Sequence, residues 1–267
     1  MFVSVIVPVH NAEDHLERTL SAIKRSDHRG YELIVVDDNS QDNSAQISRK
    51  FTDQVLELKE RRAPGFARNQ GAQMSKGDIL FFIDADVEID DHALSRVVQE
   101  FSQHPEVAAV FGSYDDEPLC KNFFSQYKNL FHHFVHQKAK EEAKTFWAGC
   151  GAVRSRDFFN AGGFAENFPT SSIEDVVLGY RMAQQGLMIR LLKDLRAKHL
   201  KKWTFLSLLK TDIFQRAIPW TRLASQKGLP NRFAGQPDST RDGPSTRQAA
   251  EDREADRSSH VRAGINH

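Results

Sequence analysis

Short apolar runs alternate with amphipathic segments through the first part of this chain. The runs cover residues 3–9, 32–37, 55–58, 79–83 and 107–111. Most are rich in Val, Ile and Phe without polar alternation, which is typical of strands covered on both faces. The segments between them have helical periodicity and cover about 12–25, 43–51, 67–75 and 93–101. Together they predict an α/β fold with a doubly wound, mostly parallel sheet flanked by helices.

The second half of the chain departs from this alternation. We expect an aromatic helical stretch over 119–146, a glycine-rich segment over 149–163 and a helix over 174–185. Residues 203–223 have the pattern of a basic amphipathic helix, or of a pair of such helices broken near Pro219. From about residue 231 the chain is polar and rich in Ser, Arg, Asp and Gly, which predicts disorder. The resulting division is a catalytic domain at 1–195, a basic amphipathic membrane-interface segment at 196–230 and a disordered tail at 231–267.

Composition argues against several classes of protein. The formal net charge is zero and the pI is about 7.2, which argues against a nucleic-acid partner. No apolar run approaches the ~18–20 residues of a membrane-spanning helix. The N-terminus lacks a basic region and reaches Pro8 too early for a signal peptide. Two cysteines, Cys120 and Cys150, form no disulfide framework, so a cytoplasmic, reducing location is expected.

Charge is distributed unevenly along the chain. Residues 193–232 contain ten Lys and Arg against two acidic residues, whereas residues 1–192 carry an acidic excess. An acidic body beside a basic segment indicates cation handling in the first and anion contact in the second.

Polar side chains follow three of the predicted strands. Pro8, His10 and Asn11 end the first strand, Asp37 and Asp38 end the second, and Asp84 and Asp86 follow the run at 79–83. Ligands of open α/β sheets bind at the carboxyl ends of the strands. Carboxylates gathered there repel one another unless a cation is present, and hard oxygen ligands favour Mg²⁺ or Mn²⁺. The alternative for each aspartate is a turn or helix-cap residue.

A nucleotide at this edge has no glycine-rich phosphate loop to hold it. The sequence contains neither GxxxxGK[ST] nor GxGxxG after a strand, which disfavours P-loop enzymes and Rossmann dehydrogenases. Carboxylates, a metal ion and basic side chains must therefore hold any nucleotide.

Five stretches resemble one enzyme family in its order along the chain. They are SVIVPVHNAEDHLERTL, ELIVVDDNSQDNS, GFARNQGAQMSKGDILFFIDADV, GAVRSRDFFNAGGFAENF and EDVVLGYRMAQQG, and they fall within about residues 2–190. The chain resembles glycosyltransferase family 2, whose members are inverting enzymes of the GT-A fold that use nucleotide-sugars. The resemblance implies that fold, with a C-terminal amphipathic helical segment and a disordered tail added here.

The resemblance also implies roles for the residues that bind the donor. The first motif would line the pocket for the base and the ribose. Asp38, which has Asp37 beside it, would pair with a uracil ring, and Arg68 would contact a phosphate. The residues assigned to that first motif are Pro8, His10, Asn11 and Glu13.

Metal binding and catalysis are assigned in the same way. Asp84 and Asp86 match a DxD pair, in which Asp86 binds the metal and Asp84 binds the ribose or a metal-bound water. Asp175 matches the catalytic base, which Glu174 orients or assists, and His199 matches a late metal ligand found in some members. The alternative for Glu174 and Asp175 is a pair of acids at a helix N-terminus, where the macrodipole favours them.

The predicted activity is metal-dependent, inverting transfer of a sugar from a nucleotide-sugar, foremost a UDP-sugar, to a hydroxyl. A lipid-linked or cell-envelope glycan acceptor is expected, with peripheral membrane contact through 200–223 at the cytoplasmic face of the inner (plasma) membrane. A nucleotidyltransferase using the same acidic edge and a non-catalytic membrane-associated scaffold are the alternatives. Similar chains continue into transmembrane helices after this segment, so the polar tail is expected to reflect a truncated or frame-shifted end or a divergent soluble variant.

Histidines and one aromatic residue have two interpretations each. His132 and His136 have a zinc-compatible i,i+4 spacing, but groove packing is the favoured interpretation because no third ligand is near. Trp147 either stacks on a sugar or lipid or packs in the core.

Overall fold

The computed structural model describes residues 1–166 and 173–225. Its strands are β1 (Val3–Val9), β2 (Tyr31–Asp37), β3 (Val55–Glu57), β4 (Ile79–Ile83), β5 (Val87–Ile89), β6 (Val107–Tyr114), β7 (Glu142–Ala143), β8 (Cys150–Arg154) and β9 (Met188–His199). Its first helices are α1 (Glu13–Arg25), α2 (Ser44–Arg49), α3 (Pro64–Met74), α4 (Ala93–Gln103) and α5 (Phe123–Lys138). They are followed by α6 (Ser155–Asn160), α7 (Glu174–Gln184), α8 (Phe205–Lys210), a π-helical segment (Thr211–Ala217) and α9 (Ile218–Ser225).

The strands form one mixed sheet in the order β3-β2-β1-β4-β8-β6-β9-β5, and β7 pairs with β9. The predicted parallel arrangement is confirmed for β3-β2-β1-β4 and for β6 beside β9. Between these two parts lies β8, which is antiparallel to both β4 and β6. This strand comes from the segment expected only to be glycine-rich, so the sequence pattern missed an element at the centre of the sheet.

Both faces of the sheet are covered, as the apolar runs predict. Val3, Val5 and Val7 of β1 pack in one core cluster with the apolar face of α1. The intervening Ile6 packs on the opposite face, in a second cluster that includes residues of α3 and α7. Successive strand side chains point to opposite faces, so a strand buried on both sides must be apolar throughout.

The strand register brings several element ends to one edge of the sheet. Val9 at the end of β1 pairs with Asp37 at the end of β2, in parallel. Ile83 at the end of β4 pairs with Cys150, so the residues just before the antiparallel β8 lie at that same edge. His199, the last residue of β9, pairs with Val87 directly after the Asp84–Asp86 turn. Residues far apart in sequence therefore meet at one edge.

The helix expected over 119–146 is shorter than predicted, because α5 ends at Lys138 and β7 follows. Met1–Trp220 forms one compact unit. The predicted boundary after residue 195 falls within β9, while the boundary after residue 230 and the predicted disorder of the tail lie outside the described residues. The division into three parts stays a prediction.

Within the described residues, no helix combines the length and the apolar character that crossing a lipid bilayer requires.

Close packing of α7 generates a stability prediction. A Cβ on Gly179 would lie 2.3 Å from the backbone nitrogen of Phe146, nearer than real contacts allow. We expect Gly179→Ala to lower the free energy of unfolding by about 1–3 kcal/mol despite the better helix propensity of alanine, because the helix must move away. Urea unfolding measures the change. The exposed Gln184→Ala on the same helix is the control and should change stability by less than about 0.5 kcal/mol. Unchanged stability of the Gly179 variant would contradict this packing.

Candidate active site

A cavity of about 510 Å³ opens at the edge where these strand ends meet. It collects most of the residues that the sequence assigned to the donor and the metal. The predicted residues that line it are Pro8, His10, Asn11, Asp38, Arg68, Asp84, Asp86 and His199. Glu13, Asp37, Glu174 and Asp175 are not among the residues that line it.

The loops after β1 and β2 hold each other in place at one end of the cavity. The Nδ1 of His10 donates to the carbonyl oxygen of Asp38 (2.8 Å), and the backbone N–H of Gln41 donates to Oδ1 of Asn11 (2.8 Å). Asn11 has a positive φ of 48°, a left-handed conformation that asparagine tolerates better than most residues. Its side chain therefore holds the loop after β2 and does not cap α1, whose N-cap residue is Ala12.

The carboxylate of Asp38 is buried and already accepts two hydrogen bonds. The backbone N–H groups of Arg62 and Ala63 donate to its two oxygens, at 2.6 and 2.9 Å. Ala63 has a φ of 77°, which a residue with a side chain rarely adopts, so this pair of contacts holds a strained bend ahead of α3. Each carboxylate oxygen has a further lone pair for a ligand N–H.

Asp37 and Glu13, which the sequence assigned to the donor site, make hydrogen bonds within the neighbouring loops instead of lining the cavity. Asp37 accepts hydrogen bonds from the backbone and the hydroxyl of Ser40. Glu13 accepts from the backbone and side-chain nitrogens of Asn43, at 3.1 and 2.9 Å, and so ties α1 to the start of α2. Both support the loops that carry His10, Asn11 and Asp38.

Arg68 connects the metal side of the cavity with helix α7. Its guanidinium forms ion pairs with Asp84 (2.6 Å) and Glu174 (2.9 Å), and its side chain is 4% exposed. Although burial opposes the charge, the two carboxylates raise the pKa of Arg68 above its ordinary value. The sequence predicted a phosphate contact here. The structure shows a buried link between two carboxylates, and the cavity still touches its side chain.

Asp86 and His199 form the closest acidic and imidazole pair in the cavity, with Oδ2 and Nε2 3.3 Å apart. Burial raises the pKa of Asp86, but His199 outweighs it and leaves the pKa at about 2. The indole N–H of Trp203 donates to Nδ1 of His199 (3.3 Å). Because an indole nitrogen only donates, Nδ1 accepts, and the Nε2 proton points towards Asp86.

The residues around Asp86 fit a divalent cation as part of its shell. Neighbouring ligands of an octahedral ion lie about 3 Å apart, close to the Asp86–His199 separation. Among residues 1–166 and 173–225, no group of three or more His, Cys, Asp and Glu side chains is arranged to hold a metal. Oxygens of a bound ligand must therefore complete the shell. For Nε2 of His199 to join it, the imidazole proton must move to Nδ1 and Trp203 must turn away.

Asp175 lies at the N-terminus of α7, next to Glu174. The backbone N–H of Ala148 donates to its Oδ2 (3.3 Å), and that of Val176 donates to its Oδ1 (2.8 Å). Burial and then the charge of Glu174 raise the pKa of Asp175 to about 7, although Arg68 acts against them. Such a carboxylate can accept a proton near neutral pH. Trp147, which precedes Ala148, lines the cavity.

Basic side chains from α5 and from the chain after β9 form one wall of the cavity. The sequence predicted anion contact for residues 193–232, and the contribution of α5 was missed. Lys128, Lys201 and Arg216 line the cavity. The guanidinium of Arg216 donates to Nε2 of His132 (3.1 Å). Burial, followed by the charge of Arg216, lowers the pKa of His132 to about 2, so this imidazole is neutral. Lys128 is buried and paired with Asp212.

Tyr114 was missed because its strand was expected to end at 111, whereas β6 runs to Tyr114. Its ring stacks on His199 with a centroid distance of 5.0 Å and meets Trp147 edge-on at 4.8 Å. Extending the strand-end rule to the true end of β6 would have found it. Trp147 lines the cavity and also packs against the core, so the interpretation of core packing is supported and stacking on a sugar or lipid stays a prediction.

Curated relatives match only part of this chain. Glycosyltransferase AglE of Haloferax volcanii is 35% identical over 108 residues, which are 38% of this chain and 36% of that protein. Poly-beta-1,6-N-acetyl-D-glucosamine synthase of Staphylococcus aureus is 28% identical over 115 residues, which are 42% of this chain and 28% of that protein. The chain thus spans about a third of the length of these relatives.

Solved structures share the fold over most of the chain. S. aureus TarS 1–349 in complex with UDP-GlcNAc has a TM-score of 0.61 at 21% identity, covering 76% of this chain and 60% of TarS 1–349. The mannosyltransferase PcManGT from Pyrobaculum calidifontis, in complex with GDP-Man and Mn²⁺, has a TM-score of 0.61 at 21% identity, covering 76% of this chain and 58% of PcManGT. At these identities the likeness shows the fold, and it confirms the predicted GT-A architecture.

The family is established by a match over more than half of the sequence. The model described as Glycosyl transferase family 2 matches residues 4–163. That range contains most of the residues that line the cavity, from Pro8 to Trp147. The chain belongs to glycosyltransferase family 2.

Proposed function

We propose that this protein transfers a sugar from a nucleotide-sugar, foremost a UDP-sugar, to a hydroxyl group, with inversion at the anomeric carbon and with a divalent cation. The observation that carries the proposal is the common cavity of Asp38, Asp84 and Asp86, which Arg68 connects to the Glu174–Asp175 pair on α7. The donor and the cation thereby have separate places in the cavity. The proposed base does not line the cavity, and Arg68 connects the cavity to Glu174, the neighbour of that base.

The donor would bind with its base near Asp38 and its diphosphate near Asp86. Asp38 retains lone pairs for a base N–H, and Pro8, His10 and Asn11 surround that end of the cavity. Asp84 is partly exposed and held by Arg68, so it is available to a ribose hydroxyl. TarS was solved with UDP-GlcNAc and PcManGT with GDP-Man, which supports a nucleotide-sugar donor.

Asp86, with Asp84 beside it and His199 as a further ligand once its tautomer changes, would hold the cation. Bound Mg²⁺ or Mn²⁺ would supply positive charge to the diphosphate. PcManGT was solved with Mn²⁺, which supports the choice of a divalent ion. Lys201 and Arg216 line the same cavity and add positive charge to it.

Asp175 would act as the base for the acceptor hydroxyl. The hydroxyl oxygen attacks the anomeric carbon, the bond to the diphosphate oxygen breaks, and the proton passes to the carboxylate of Asp175. One displacement inverts the anomeric carbon and needs no carboxylate nucleophile. Glu174 is held by Arg68, so its part is to orient the start of α7 and raise the pKa of Asp175.

The acceptor is proposed as a lipid-linked or cell-envelope glycan. Its support is indirect: the S. aureus relative is named a poly-beta-1,6-N-acetyl-D-glucosamine synthase. The predicted location at the cytoplasmic face of the plasma membrane stays a prediction.

The first prediction concerns the cation. A UDP-sugar at about 100 times its Kd should stabilise the protein by about 2.7 kcal/mol, which corresponds to about 5–11 °C in Tm for a domain of this size. We expect the Mn²⁺-dependent part of this shift to disappear in Asp86→Asn. Thermal melts with donor, with and without Mn²⁺, measure it. Asp116→Asn, an exposed carboxylate outside the cavity, should keep the full shift. An Asp86 variant that retains it would show that the cation binds elsewhere.

The second prediction concerns the base. Asp175→Asn should lower kcat about 10²- to 10⁴-fold while donor binding is retained, because the variant cannot accept a proton. In the wild type, kcat/KM should fall about tenfold per pH unit below a pKa of about 7, since only the carboxylate form acts as a base. Initial rates of nucleoside diphosphate release, measured across pH, test both. A flat pH profile or an active variant would remove Asp175 from the chemistry.

Product analysis separates this activity from its chemical rival. Sugar transfer releases a nucleoside diphosphate, whereas a nucleotidyltransferase on the same acidic edge releases pyrophosphate.

A further inference from the structure

Helix α5 carries a row of exposed large apolar side chains that no element of the described chain covers. Phe123 is 71% exposed, Phe134 is 60% exposed, and Tyr127 and Phe131 are each 50% exposed. They recur at the spacing of one helix face. Exposed apolar side chains scattered singly are ordinary, but a contiguous patch marks an interaction surface.

The row continues onto the chain after β9. Stacked or edge-on rings form a series in which Phe131 meets Tyr127, Tyr127 meets Phe123, and Phe123 meets Phe124. Phe124 then contacts Phe205 of α8 with a centroid distance of 5.6 Å. Exposed apolar side chains on and after α8 extend this surface; they are Phe205, Leu206, Leu209, Ile213 and Phe214. We call this set of α5 and 205–214 side chains the aromatic face.

Polar contacts fix the two parts of the aromatic face against each other. The side-chain amide of Asn122 donates to the carbonyl of Trp203 (2.6 Å), and the N–H of Trp203 donates to the hydroxyl of Ser125 (2.8 Å). Lys128 pairs with Asp212 further along. Trp203 itself is only 5% exposed. The face therefore rests on a buried, hydrogen-bonded base, and its side chains are already exposed.

Positive charge borders the aromatic face. Residues 121–138 contain no Asp or Glu, and residues 200–217 contain only Asp212, which is paired with Lys128. The exposed basic side chains in these two ranges are Lys121, Lys138, Lys201, Lys202 and Lys210. Aromatic and aliphatic side chains bordered by lysine suit the interface of a bilayer that contains anionic lipids.

We propose that the aromatic face docks the protein on an anionic lipid surface, with α5 as a contact element alongside α8 and the π-helical segment. This occupant fits better than a second copy of the chain, because a twofold pairing of the face would bring the same lysines together. The sequence had predicted contact through 200–223 alone. The structure adds α5, whose amphipathic pattern lies far from that segment in sequence.

The aromatic face borders the cavity. α5 supplies Lys128 and His132 to its lining, and the π-helical segment supplies Thr211, Gln215 and Arg216. Docking would therefore bring this side of the cavity close to the membrane, where a lipid-linked acceptor is held. The link to an acceptor rests on the proposed function, whereas docking itself needs no donor.

Flotation of the full chain with vesicles tests the docking. We expect binding to phosphatidylcholine vesicles containing about one-third phosphatidylglycerol, weaker binding to pure phosphatidylcholine, and loss of the electrostatic part between about 0.1 M and about 1 M NaCl. The double variant Phe123→Gln with Phe131→Gln should bind at least about tenfold more weakly, because two aromatic side chains no longer enter the interface.

A matched double variant controls for the loss of exposed apolar area elsewhere. Phe159 is 48% exposed and Met74 is 38% exposed, and both lie outside the aromatic face. Phe159→Gln with Met74→Gln should bind as the wild type does. Lys202→Gln with Lys210→Gln tests the charge separately, with about a fivefold loss expected per lysine. Thermal melts of each variant establish that it is folded.

Failure of the wild type to float, or equal binding by both apolar double variants, would overturn the proposal. So would a dimer in sedimentation velocity that only the Phe123 and Phe131 substitutions dissociate, without vesicle binding. Asp175→Asn should float as the wild type does while sugar transfer is lost. A wild-type protein that floats but transfers no sugar would count against the proposed function alone.

Discussion

The buried guanidinium of Arg68 holds the two halves of the site together. It lies on α3, and its ion pairs reach Asp84 after β4 and Glu174 at the start of α7. Removing one partner of a buried ion pair costs about 3–5 kcal/mol because the remaining charge is left uncompensated. The arrangement therefore fixes the distance between the proposed metal side and the proposed base. The positive charge of Arg68 also compensates the two carboxylates without a metal ion between them.

The cavity separates charges of opposite sign onto different elements. Its acidic side comes from the ends of β2 and β4, and its basic side comes from α5 and the chain after β9. Both sides suit a nucleotide-sugar, because basic side chains can contact its anionic diphosphate and carboxylates can bind the cation that accompanies the diphosphate. The zero net charge of the whole chain hides this division, and the uneven distribution along the sequence was the better guide.

Much of the acidic side was predictable from the sequence, since the ends of β1, β2 and β4 are local signals and parallel strands place them together. Asp38, Asp84 and Asp86 line one cavity, whereas Asp175 does not line it. The central β8 was not predictable in the same way. Its sequence, CGAVR, is only five residues long and contains small side chains. No local pattern distinguishes a strand of this kind from a loop.

Long-range pairing explains the remaining differences. Tyr114 and Lys128 enter the cavity only because β6, β9 and α5 pack together, which no local signal reports. Asp37 is a neighbour of Asp38 in sequence, yet it faces the Ser40 turn, because adjacent residues at a strand end point in different directions. Sequence motifs alone therefore do not tell which of their residues face the cavity and which support its loops. The strand register and the packing of the helices decide this.

The central claim is that one cavity holds the donor's diphosphate and a cation at Asp86, within reach of a base on α7. A crystal structure with a UDP-sugar and Mn²⁺, with the metal located by its anomalous signal, tests this claim most directly. The account predicts an anomalous peak between the Asp86 carboxylate and the diphosphate, with the base of the nucleotide beside Asp38 and the sugar facing Asp175. Nucleotide density in a different cavity, or a metal peak away from Asp86, would contradict it.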